Sequence, residues 1–371
     1  MKKRLVVAAL AAAFALAPLV GSTQANAPYK IGMTYPLTGP FGAYSTTYIA
    51  ATQMGIDDVN SHGGVRGHKL QLLTEDSQGT PAAGIAAMRK LVQVDGVQAI
   101  ITGFTNVVNA QLPLADELKV PIMAAIETPG LMSKTMFAFA HSPTLTLVGP
   151  ILERYWKAHQ VKNVYVILSN NGFGQTIAPL VESYITGAGA KYTEAFLNLN
   201  ETDFRGPLER VKEAHPDAIY ISLQGSAAEP LAVKQMREMD IKAPLFEGSN
   251  MFESKVYHDA IGPYVEGVYF TGLGLDKTNG KAFVQAFKAK FGQPPSYQEG
   301  ELYDEVHIFA WAMAKGGYNG DAIRNQISML KGQVPSVLGG NITMGADHYS
   351  LTSGADIWQV RKGVEVKVGT H

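Results

Sequence analysis

From Lys30 onward, short apolar runs of strand length alternate with amphipathic runs of helix length. That alternation restricts the chain to parallel sheets wrapped by helices on both faces. The first unit shows the pattern clearly. Ile31 and Met33 mark a strand that breaks at Pro36, residues 38–42 (TGPFG) make a turn, and a helical pattern starts near Ser45. A strand that ends in such a turn and feeds a helix puts the turn at the carboxyl edge of the sheet. Open α/β sheets bind ligands there, beside helix N-termini. The stretch carries neither a nucleophile with its base nor a phosphate loop, so it suits holding a molecule more than transforming one.

The same unit recurs along the chain. Residues 97–102 form a buried-type strand before Gly103, Phe104, Thr105 and Asn106, and residues 120–125 run into Glu127, Thr128, Pro129 and Gly130. Ser142, Pro143 and Thr144 break the chain, and a second series begins. Its strands at 163–168, 217–223 and 243–246 end in Gly172-Phe173-Gly174, in Gln224-Gly225-Ser226 and in Glu247 to Asn250. Three helices (280–291, 298–315, 321–330) and short strands between 341 and 368 complete the chain. With no low-complexity linker, the halves should exchange the chain at about 140–144, 271–275 and 347–352.

Ahead of this lies a basic tip, Met1 to Arg4, an apolar run over 5–20 and a small-residue stretch over 21–27. It reads as a secretory signal cut after Ala25 or Ala27. Removing Lys2, Lys3 and Arg4 lowers the basic count from 31 to 28 against 32 acids, a net charge of −4. That balance argues against nucleic acid or an anionic membrane surface as a partner. With no cysteine, stability must come from the core, and a lipoprotein anchor is excluded. A soluble exported protein, periplasmic in a Gram-negative cell, is expected. His62 and His68 flank a glycine turn with no further metal ligand, and the glycines at 172–174 lack the third of a dinucleotide fingerprint. No metal or cofactor is expected.

Several blocks together carry a resemblance. PLTGPFG (36–42) precedes a helix ending in NSHGGVRG (60–67), and a strand then runs into EDSQGTP (75–81). VPIMAAIETPG (120–130) and VYVILSNNGFGQ (164–175) follow. The combination resembles the branched-chain amino-acid-binding family of periplasmic substrate-binding proteins, the receptors of ABC importers, over essentially the whole mature chain. The resemblance implies a type I periplasmic binding fold: α/β, two doubly wound parallel-sheet lobes joined by a three-strand hinge. Residues 28–142 with 273–348 would form the first lobe, and 143–272 with 349–371 the second. A monomer would trap a small solute between them and present it to membrane permease subunits.

Carried over position by position, Tyr44 matches the family's pocket aromatic after the first strand. Thr105 or Asn106, beside Phe104, falls near the small polar residue that takes a ligand carboxylate, although helix capping explains the same residues equally well. Thr128 fits a backbone and hydroxyl contact, beside Glu127. Phe173 sits where the family often has tyrosine, and Gly225 and Ser226 replace an aromatic-bearing loop. Asn250 lies where amino-acid binders place a carboxylate for the ligand ammonium. A buried ammonium without a charged partner is costly, so this departure argues against an α-amino acid unless Glu127 or Glu247 supplies the charge. The implied ligand is an aromatic or aliphatic carboxylate, an amide or an amino-acid-like solute. A ligand sensor would use the same pocket. An exported α/β enzyme is the alternative of a different class.

Overall fold

The computed structural model describes residues 26–248, 255–350 and 355–369. The first half runs β1 (Tyr29–Tyr35), α1 (Ser45–Ser61), β2 (Leu70–Asp76), α2 (Pro81–Arg89), β3 (Ile100–Gly103), α3 (Thr105–Leu118), β4 (Ile122–Ala125), β5 (Ala138–Ala140). The second continues with α4 (Leu145–Ala158), β6 (Asn163–Ser169), α5 (Gly172–Gly187), β7 (Lys191–Leu197), α6 (Arg205–Glu213) and β8 (Ala218–Ser222). It closes with α7 (Ala228–Glu238), β9 (Leu245–Glu247), α8 (Lys255–Ile261) and β10 (Tyr269–Gly272). Three helices follow: α9 (Lys281–Phe291), α10 (Tyr297–Gly316) and α11 (Gly320–Ser328). Four strands end the chain: β11 (Lys331–Pro335), β12 (Asn341–Thr343), β13 (Asp356–Arg361) and β14 (Val364–Gly369).

One sheet has the order β2-β1-β3-β4-β5 and is parallel throughout. The other runs β14-β13-β10-β9-β8-β6-β7. It is parallel from β7 to β10, and β13 and β14 add to it antiparallel. The parallel part, β7-β6-β8-β9-β10, repeats the winding of the first sheet. In both, the first strand of the series lies inside, between the second and the third. This is the two-lobed α/β architecture that the alternation and the resemblance led us to expect. Sandwiching by helices explains why Ile31, Met33, Ile100 and Ile101 are fully buried. The strand at β11, paired with β12, has no counterpart in the sequence expectation.

Local chemistry sets the helix ends that matter. Thr80 caps α2, its hydroxyl accepting from Ala83 N at 3.3 Å, with Pro81 in the first turn. Asn171 caps α5, accepting from Phe173 N at 3.0 Å and Gly174 N at 3.2 Å. Ser296 and Glu299 form a reciprocal capping box that starts α10. This helix lies along α1, and Gly55 permits the close approach: a Cβ there would sit 3.0 Å from the Tyr303 carbonyl. Among the described residues no helix is long and apolar enough to cross a membrane. The proposed signal segment lies almost entirely outside the described residues.

Candidate functional site

A cavity of about 80 Å³ takes its lining from the carboxyl ends of both sheets. A water needs ~10–15 Å³ by this measure, so the space suits on the order of half a dozen waters or one small organic solute. From the first sheet come Tyr35 at the end of β1, Phe104 and Thr105 after β3, and Ala125, Ile126 and Glu127 at the end of β4. The second contributes Phe173 after β6 and Gln224 after β8. Tyr48 of α1, Ser142 after β5, and Gln298 and Glu301 of α10 complete the wall. The inside position of β1 and of β6 makes a topological switch point in each sheet. Such crevices are where open sheets take ligands.

The aromatic wall depends on close approaches. A Cβ on Gly103 would lie 2.5 Å from the Tyr35 hydroxyl, so the glycine lets that ring lie across the end of β3. Tyr35 then meets Tyr48 (5.8 Å, 85°) and Phe104 (5.9 Å, 70°) edge to face. Phe104 and Gln224 occupy similar places beyond the third strand of each series, and both have positive φ, 66° and 58°. For a non-glycine residue that conformation costs ~1–3 kcal/mol and persists only where neighbours hold it. Gln224 is held by Asn171 Nδ2, which donates to its Oε1 at 2.8 Å. The Glu229 carboxylate also accepts the N–H groups of Leu223 and Gly225 on either side.

The charge of the cavity comes from acids. Glu301 is 1% exposed, and its Oε1 has no hydrogen-bond partner. Burial, then the charges of Glu127 and Glu305, push its carboxyl well above the ordinary glutamate value. Glu305, one turn along α10, is fully buried with neither oxygen bonded, and burial followed by the Asp304 charge raises it in the same way. Glu127 is half-buried and accepts from the Tyr297 hydroxyl at 2.6 Å. The Tyr35 phenol is pushed up by burial, then by Glu305 and Glu301, and so stays a donor. None of the residues lining the cavity is a lysine, an arginine or a histidine.

The structure distributes the residues expected from sequence unevenly. Phe104, Thr105, Glu127 and Phe173 line the cavity together. Asn106 and Thr128 line an adjoining pocket with Lys134 and Gly130, and the Thr105 and Thr128 hydroxyls join the two at 2.8 Å. Tyr44, in contrast, is not in the wall. It is 3% exposed and stacks on Tyr48, which stands one helical turn further on and takes the place expected for it. Burial, then the charges of Glu229 and Glu247, push the Tyr44 phenol up. Gly225 and Ser226 are buried behind Gln224, where the loop folds back toward Glu229. Glu247 is buried at the end of β9 and does not line the cavity, and Asn250 lies outside the described residues. The sequence reading missed Tyr35, Tyr48, Gln298 and Glu301. Glu301, Asp304, Glu305 and Ile308 fall at core-facing helical spacing, a signal that α10 buries acids.

One distant constellation does assemble. The His141 ring lies between Ser350 Oγ, 2.7 Å from Nδ1, and Asp304 Oδ2, 3.2 Å from Nε2. All three are buried, and Asp304 also accepts from the Ser336 hydroxyl at 2.6 Å and from Val337 N at 3.1 Å. Beside it, Ala140 N donates to His348 O and Ser350 N to Ala140 O, both at 2.9 Å. The arrangement ties the segments at Ala140–His141 and His348–Ser350 to α10.

Comparison with known proteins agrees with this fold. The family model described as "Periplasmic binding protein" matches residues 28–364. An "Amino acid binding protein" of Pseudomonas aeruginosa is 26% identical over 341 residues, 88% of this chain and 89% of that one. A "Leu/Ile/Val-binding protein" of Rhizobium johnstonii is 24% identical over 360 residues, 91% and 92% of the two chains. Among solved structures, a branched-chain amino acid transporter substrate-binding protein of Streptococcus pneumoniae, in complex with isoleucine, superposes with a TM-score of 0.80 at 23% identity. It covers 92% of this chain and 100% of its own. An ABC transporter solute-binding protein of R. palustris, in complex with benzoate, gives 0.81 at 16% identity over 92% and 96%.

Proposed function

The chain belongs to the periplasmic binding protein family, and on that premise we propose that it is the exported receptor of an ABC importer. It would hold one small organic solute between its two sheets and hand it to membrane permease subunits. The observation that carries this reading is a cavity lined from the carboxyl ends of both sheets at once. A solute bound there touches both halves and therefore favours the arrangement in which they meet. Its effect on that equilibrium is set by its differential affinity for the two arrangements. Phe104, Thr105, Glu127 and Phe173 are its proposed contacts from the sequence reading, joined by Tyr35, Tyr48, Gln224, Gln298 and Glu301. The first N–H groups of α3, beside Thr105, are placed to donate to an anionic or carbonyl oxygen.

We read the protein as binding its solute without transforming it. Ser350, His141 and Asp304 have the residue types of a hydrolytic triad, but Ser350 is 4% exposed and Asp304 is engaged by Ser336 and Val337. Thermal unfolding against a solute library tests the receptor role, since a specific ligand raises the midpoint. Recovery of that ligand unchanged after denaturation separates receptor from enzyme. A library without effect counts against the proposal, and a converted ligand replaces it with catalysis.

A further inference from the structure

The solute class follows from the acids of α10. We propose that Glu301, supported by Glu127, is a subsite for a cationic group, so that the ligand is a small amphipathic ammonium or amidinium compound. The inference rests on the receptor reading above and specifies what that receptor selects.

Glu301 is almost wholly buried, yet one carboxylate oxygen on the cavity wall has no hydrogen-bond partner. A buried acceptor left unmade is costly, and a buried carboxylate with no counter-charge is costlier. Structural acids normally carry their partners with them. Asp304, three residues on, is engaged by His141, Ser336 and Val337, and Glu299, two residues back, by Ser296. Glu301 has only the Ser142 hydroxyl beside it, and, unlike the equally buried Glu305, it lines the space where a ligand lies.

Its surroundings favour a cation over an anion. Glu127 shares the wall and Glu305 stands behind, while no lining residue bears positive charge. A ligand carrying only a carboxylate would gain no ion pair from the lining and would keep Glu301 protonated. A cation would meet two carboxylates and the rings of Tyr35, Tyr48, Phe104 and Phe173, whose faces attract positive charge. The partner for an ammonium, missing at Asn250 in the sequence, is thus supplied by a helix of the other half.

Thermal unfolding and titration calorimetry with shape-matched probes decide this. Benzamidine, benzamide and benzoate differ mainly in charge, as do pentylamine, valeramide and valerate. The expected order in the wild type is cation, then amide, then carboxylate. Glu301→Gln should weaken the cations by about thirtyfold or more and narrow the gap to the carboxylates. Glu213→Gln, the same change on an exposed acid, should leave the order intact. Loss of binding cannot be blamed on misfolding if the ligand-free midpoint of Glu301→Gln is not lowered, as expected on replacing a buried acid by its neutral isostere. Carboxylates that bind while cations do not would overturn the subsite and leave the receptor standing. The same holds for a cation preference untouched by Glu301→Gln. Inertness toward these probes and a wide library would remove both.

Discussion

Binding of a cation to Glu301 has a proton consequence that can be measured without knowing the natural ligand. In the ligand-free cavity the carboxyl is held well above its ordinary value of 4.5 by burial and by neighbouring acids, so above that pH it still carries its proton. A cation favours the ionised form, and the proton leaves as the ligand arrives. One proton released per ligand makes affinity rise up to tenfold per pH unit, 1.36 kcal/mol, as pH climbs from about 4.5 toward the raised value. The groups around Glu301 are Glu127, Ser142, Tyr35 and Tyr48 on the wall and Asp304, Glu305 and His141 behind it. Of these, Glu305 is raised in the same sense, so it is the group to separate.

The assay is titration of benzamidine, cationic throughout the range, in buffers of different ionisation enthalpy at pH 5, 6 and 7. The dependence of apparent enthalpy on the buffer gives the protons released. We expect a value between zero and one for the wild type, abolished in Glu301→Gln and retained in Glu305→Gln. Proton uptake, or affinity that falls with rising pH, would refute the reasoning. Release that survives Glu301→Gln and vanishes in Glu305→Gln would assign the linkage to the wrong acid.

Other outcomes follow from the same contacts. Without ligand, both raised carboxyls bind protons more tightly folded than unfolded, so stability should decline as pH rises from about 4.5 through their folded values, which urea midpoints will show. Gly103→Ala places a Cβ 2.5 Å from the Tyr35 hydroxyl; overpacking of ~1–3 kcal/mol and a weaker ligand together should result, read by denaturation and calorimetry. Asn171→Ala removes the α5 cap and the hold on Gln224, costing ~1–2 kcal/mol and loosening Phe173, so affinity should fall with stability. Asp304→Ala strands His141, Ser336 and Val337 N in the interior, and a loss of ~3–5 kcal/mol in urea unfolding is expected.

The strand and helix alternation was legible because each period is set by local sequence, and the carboxyl-edge turns after β3, β4 and β6 led directly to Phe104, Thr105, Glu127 and Phe173. What stayed hidden was register across long sequence separations. Tyr44 and Tyr48 lie on one helical face, and choosing between them requires the crossing of α1 and α10, which depends on Gly55 lying against Tyr303 some 250 residues away. Glu301 was hidden for a similar reason. An acid in an amphipathic helix usually faces water; the spacing of Glu301, Asp304, Glu305 and Ile308 hints otherwise, and the packing of α10 beneath the cavity shows which acid meets the cavity.

The two switch points supply unlike chemistry. The half with β1, together with α10, brings the acids and most of the rings, whereas the half with β6 brings Phe173 and the amide of Gln224, already held by Asn171. A cation can therefore satisfy its charge on one half before the other arrives. Closure then adds an aromatic face and a preset amide without desolvating a second charge, the costly step in forming a buried ion pair. If the charge lay on the closing half, each closure would desolvate an acid before its partner was fixed. The division also makes the halves separable by mutation. Glu301→Gln should weaken the first encounter, seen as slower association of a cationic ligand. Phe173→Ala should leave association largely unchanged and speed release, because it removes a contact made only once the halves meet. Stopped-flow traces in which Phe173→Ala slows association and leaves release alone would reverse the order of events.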